Sequence, residues 1–218
     1  MTIIVVGGAT QEPPVVPEIK EVHIGDGLLR FVKKISAQSN EIFDVAEMIH
    51  IGAKIGGRTI AVIDGNFEKF FRTQGIVERY VPAVELPVLE IRKAPRHSEI
   101  IAALWPGDCE LKPLSLFHFH QTMAGDGRIS PDTNLFDGQT NIGYAYSPIA
   151  RPNVENDSRL WAVTWYVSKT LYPGELCIGA APWNFFARCS TMGRVMAEYV
   201  VPVEIPAGVS PMETAVVV

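Results

Sequence analysis

The residues with the clearest chemical potential are two histidines two positions apart, in Phe117-His118-Phe119-His120. Alternate residues of a strand share a face, so His118 and His120 could hold one metal ion there. Two ligands do not hold a metal by themselves, and further carboxylate or histidine ligands are needed. The next residues are Gln121, Thr122 and Met123, and His23, His50 and His97 lie upstream in unrelated contexts. The pair therefore reads as the polar face of a strand. Asp126, Asp132 and Asp137 share one Gly-rich loop. They offer the hard oxygen ligands that calcium takes, but not the compact alternating spacing of an EF-hand loop, so a solvated loop is the plainer reading.

Other chemistries find less. No serine sits in a Gly-x-Ser-x-Gly turn. Gly7-Gly8 and Gly52–Gly57 develop neither a dinucleotide fingerprint nor a phosphate loop with its lysine and hydroxyl. Cys109 follows a Pro-Gly turn with no histidine partner marked in the sequence. Trp161, Trp165, Tyr166, Trp183, Phe185 and Phe186 could stack on bases, yet almost no Lys or Arg is interleaved with them. Packing in a core or an interface suits them better.

The elements that position these residues must be built from 218 residues, 47% of them hydrophobic, which suffices for one large domain. The net charge of −5 is scattered and no basic arm stands out, so nucleic acid would be contacted only weakly. Three cysteines, Cys109, Cys177 and Cys189, include no Cys-x-x-Cys pair and suit neither a disulfide framework nor a four-thiolate zinc site. The apolar run Ile3–Val6 is too short for a signal sequence or a membrane span.

Pro13, Pro14 and Pro17 make 1–18 an extended arm. Residues 19–35 supply one or two strands. The spacing of Ile42, Phe43, Ala46 and Ile49 predicts a helix over 39–52, capped by Ser39 or Asn40. Thr59–Ile63 reads as a strand stopping at Asp64-Gly65, and Phe67–Phe71 as a helical turn. The run from Val84 to Ile91 is a strand with a bulge near Pro87. Glu99–Trp105, Leu114–Gln121, Asn141–Tyr146, Leu160–Ser168, Leu176–Ala180, Asn184–Ser190 and Arg194–Ile205 read as further strands. Both sides of Leu160–Ser168 are apolar, which predicts burial on both faces. The last residues, 206–218, form an apolar tail.

Two resemblances follow from these runs. Tyr80–Arg92, the short hairpin Ala94–Glu99 and the apolar stretch Ile100–Pro106 resemble the opening strands of picorna-like virus coat proteins. Tyr144-Ala145-Tyr146-Ser147-Pro148, Leu160–Ser168, Glu175–Ala181, Asn184–Cys189 and Val195–Ile205 follow in the same order. Gly174–Gly208 is similar to the small coat subunit of comovirus-like viruses. The likeness spans 75–208 and implies an all-β fold: an eight-stranded jelly-roll sandwich with small helical insertions over 19–205. It also implies a non-enzymatic, cofactor-free capsid subunit. Such a subunit would assemble in host cytoplasm into an icosahedral virion, with copies of itself or other coat chains and no membrane. The arm 1–18 and the tail 206–218 would reach neighbours. A phage tail or decoration protein shares these features.

The second resemblance is to SET-domain methyltransferases, which use S-adenosylmethionine. Ser147-Pro148-Ile149-Ala150-Arg151-Pro152-Asn153-Val154-Glu155 is similar to their Asn-His-Ser-x-x-Pro-Asn segment, and Leu171-Tyr172-Pro173-Gly174-Glu175-Leu176 to their Pro-Gly-Glu-Glu-Leu turn. Ala145-Tyr146 stands where that family has Asn-His, and Gly179-Ala180-Ala181 where it has the catalytic tyrosine.

Overall fold

A computed structural model describes residues 23–106, 112–124, 135–150, 159–183, 188–189 and 192–197. The expected arm 1–18, the tail 206–218, Cys109, Asp126 and Asp132 lie outside the described residues, as do most of 184–190 and of 197–205.

The described chain is β-rich, 43% strand against 21% helix. Nine strands form one mixed sheet. Its members are β1 (His23–Ile24), β2 (Leu29–Ala37), β4 (Lys54–Ile55), β5 (Arg58–Ile63), β7 (Val84–Ile91), β8 (Asn141–Tyr146), β9 (Leu160–Val167), β10 (Leu176–Pro182) and β11 (Arg194–Met196). Their spatial order is β1-β2-β7-β11-β8-β9-β10-β5-β4. Neighbours run antiparallel except β5–β10 and β8–β11, which are parallel. A separate two-stranded ribbon pairs β3 (Asn40–Asp44) with β6 (Val77–Val81).

Alternation divides the sheet between two cores. On β9, Trp161, Val163, Trp165 and Val167 enter one and Leu160 and Ala162 the other. On β7, Leu86 and Val88 face the first, and Leu89 and Ile91 the second. The expected burial of both sides of the β9 run is thus met along most of its length. On β2 the parity changes: Leu29 belongs to the second core, whereas Ile35 and Ala37 belong to the first. The cause is a bulge between Phe31 and Lys33, opposite Leu89 and Val88. One extra residue there turns the rest of the strand over. The irregularity expected near Pro87 therefore lies on the neighbouring strand.

Three sequence expectations are corrected. The helix expected over 39–52 is a strand followed by one helical turn, α1 (Val45–Met48). Asp44, extended at ψ 115°, caps that turn by accepting from Ala46 N and Glu47 N. Phe43 is buried while its neighbour Ile42 is exposed, as a strand requires.

The strand expected at Glu99–Trp105 is α3 (His97–Leu104). His97, Ile100 and Leu104 are buried along one face, and Glu99 accepts from Arg96 N at 2.6 Å. A short apolar run suits either element, and here the cap decides. The strand expected at Leu114–Gln121 is α4 (Leu116–Ala124). Its first N–H groups are satisfied by Glu78 of β6, which accepts from Leu116 N and Phe117 N, both at 2.8 Å. Ser115 Oγ accepts from His118 N.

The helical turn expected at Phe67–Phe71 is present as α2 (Gly65–Phe70). Its cap, Asp64, accepts from Phe67 N at 2.7 Å and from Ala180 N at 3.0 Å, so one carboxylate ties α2 to β10. Aromatic rings fill the space below: Phe70 lies 4.3 Å from Trp161 and Phe71 5.2 Å from Phe67.

Candidate functional site

The two histidines do not form a site. On a helix, residues two apart diverge by about 200°, so α4 sends His118 and His120 in different directions. His118 is fully buried and its Nε2–H donates to the Pro82 carbonyl at 2.9 Å. His120 packs against the Phe43 ring, 5.2 Å between centroids, and burial pushes its pKa down to about 4. Asp137 is committed elsewhere: Arg194 donates to both its oxygens, at 2.6 and 3.1 Å, and Gln139 N donates at 2.9 Å. Burial acts to raise this carboxyl. The hydrogen bonds and the charges of Arg194 and Lys169 outweigh it and hold the pKa below the usual range. Among the described residues no group of three or more His, Cys, Asp or Glu side chains could hold a metal ion.

A polar cluster that the sequence did not signal lies in the second core. His97 Nδ1 is 3.0 Å from the Tyr144 hydroxyl, and Cys189 Sγ is 3.7 Å from the same nitrogen. Trp105 stacks edge-on against Tyr144, and its Nε1–H finds no acceptor among the described residues. Burial drives His97 down to about 4 and Cys189 up to about 11. Imidazole and thiol are therefore both neutral near pH 7, not the thiolate–imidazolium pair of an activated nucleophile. Sequence separations of 47 and 92 residues kept the cluster out of any motif.

The surface is more informative. On the β3–β6 ribbon, Phe43 turns inward onto Phe117 at 5.4 Å. Ile42, 57% exposed and opposite Arg79, turns outward together with Val77, opposite Asp44. Beside them Tyr80 is 82% exposed and takes a left-handed φ of 55°. A bulky side chain in that region is strained by about 1–3 kcal/mol. The β9–β10 turn adds exposed Leu171 and Tyr172.

The tryptophans of β9 are different, whereas Tyr166 is exposed. Trp161 and Trp165 lie within the chain's own core and are not available to a neighbour. No helix among the described residues is long and apolar enough to cross a membrane. No family model matches this chain, and neither does any curated protein or solved structure.

Proposed function

We propose that the chain is a structural subunit that associates with copies of itself, and more specifically a coat subunit that, alone or with other coat chains, encloses a genome in a virion. The observation that supports association is the outward apolar set Ile42, Val77 and Tyr80 on the ribbon, with Tyr80 held exposed in a strained conformation. Water-facing apolar area of this kind gains free energy when covered, and closed symmetry repeats the gain at every contact. The coat reading adds the likeness over 75–208, apart from Ile100–Leu104, which is helical where that likeness implies a strand. A jelly roll is antiparallel throughout, whereas β5–β10 and β8–β11 are parallel, so this reading leans on the surface more than on the sheet order. Light scattering and negative-stain microscopy of the purified chain test it: particles are expected, and a lone monomer at high concentration would contradict it.

A methyltransferase-like reading retains one supporting observation. The two segments of that likeness fall in the β8–β9 and β9–β10 connections, and these three strands are successive antiparallel neighbours. Calorimetry with S-adenosylmethionine separates the two, since a coat subunit has no reason to bind it.

A further inference from the structure

Two arginines oppose each other on the surface with no carboxylate paired to either among the described residues. Arg96 and Arg188 form an isolated antiparallel bridge, which places their side chains on the same side. Both are exposed. Like charges directly opposed on paired strands repel, and here they are held in place. Cys189 N donates to Pro95 O at 2.7 Å, and Arg188 Nη1 donates to Ala94 O at 2.6 Å. The nearest acid in sequence, Glu99, keeps its charge but accepts from the backbone N–H of Arg96 and forms no ion pair with either guanidinium among the described residues.

Other cations lie close along the chain. Arg92 is shared with Glu90, which Arg30 already neutralises, and Lys93 Nζ donates to Asp26 O. The start of α3 at His97 adds the positive end of an eight-residue helix. Elsewhere Arg30, Arg72 and Arg194 each meet a carboxylate. In a chain of net charge −5, this concentration runs against the composition.

We infer that Arg96 and Arg188 form a binding site for a phosphoryl oxyanion. Two guanidinium forks on one side match a tetrahedral oxyanion, and an anion between them converts their repulsion into paired charge-assisted hydrogen bonds. Arg92 and Lys93 set the surrounding potential. The site does not depend on whether copies of the chain assemble.

Calorimetry and thermal unfolding of the full chain at low salt, titrated with pyrophosphate, provide the test. Saturable binding is expected, together with a rise in Tm. Arg96→Gln and Arg188→Gln should each weaken binding about tenfold or more. Arg79→Gln, at another exposed arginine, should leave it unchanged. Arg96→Gln is the decisive variant, because Arg188 also holds Ala94. A single-stranded oligonucleotide forms the second arm. Tighter binding than pyrophosphate, with a salt dependence that both variants reduce, identifies a phosphodiester strand as the source. Weaker binding identifies free phosphate. Absence of saturable binding to both probes, or an equal loss in Arg79→Gln, overturns the assignment.

Discussion

Glu78 of the outer ribbon caps α4 across 38 residues of sequence, its Oε1 accepting from the backbone N–H of Leu116 at 2.8 Å. Its other oxygen takes the N–H of Phe117. One carboxylate therefore fixes both the helix start and the position of the ribbon that carries Ile42, Val77 and Tyr80. Glu78→Ala should destabilise the chain by about 1–3 kcal/mol, since it strands two N–H groups at the end of a buried helix. Glu78→Gln keeps one acceptor and should cost less. Urea unfolding of the two variants against wild type measures both values.

Two neutral histidines, His97 buried and His120 half-buried, make stability depend on pH. His97 and His120 have folded pKa values near 4 against the ordinary 6.5, in each case because burial disfavours the charged ring. The unfolded chain takes up protons first as pH falls. Their contribution is thus complete above about pH 6.5 and is lost progressively towards pH 4, by at most about 3 kcal/mol per ring. The carboxylates Glu90 and Asp137 have lowered folded pKa values, so their contribution fades only below their ordinary values of 4.5 and 3.8. Unfolding between pH 7 and pH 5 should show a slope that flattens in the double variant His97→Gln, His120→Gln. An unchanged slope would mean that neither ring is held neutral.

Asp64 joins α2 to β10. Asp64→Ala removes the helix cap and leaves the Ala180 N–H without its acceptor. The expected loss is about 2 kcal/mol, and Asp64→Asn should recover part of it. Hydrogen exchange should speed up at Phe67 and Ala180 together in the alanine variant. Acceleration at only one of them would show that the two bonds act separately.

Gly56 admits no side chain. Its φ is +55°, and a Cβ built there would lie 2.0 Å from the carbonyl oxygen of Ala124 at the end of α4. Backbone cannot yield as a flexible side chain can, so Gly56→Ala should cost about 2 kcal/mol or more. A wild-type melting temperature in that variant would contradict the close approach of this turn to α4.

What the sequence made legible followed local rules. The alternation in Leu160–Ser168, the strands around Val84–Ile91 and Asn141–Tyr146, and the turn after Ile63 are all present. What it hid depends on partners far along the chain. Leu114–Gln121 is helical because Glu78 caps it from another element. The Ile100–Leu104 run fits strand and helix equally until Glu99 closes the first turn. Parallel pairing of β5 with β10 joins segments more than a hundred residues apart. His118 and His120 share a face only on a strand; the helix separates their rings. The facing of Arg96 and Arg188 left no trace in the sequence, because 92 residues separate them.

The central claim is that the exposed apolar residues of the ribbon serve association between copies. Light scattering of wild type against Tyr80→Asn, Ile42→Ser tests it most directly. Asparagine tolerates a left-handed φ better than tyrosine, so the variant should fold with unchanged or slightly higher stability. Wild type should scatter as a large assembly and the folded variant as a small species. Equal scattering from both, or a monomeric wild type at high concentration, would contradict the account.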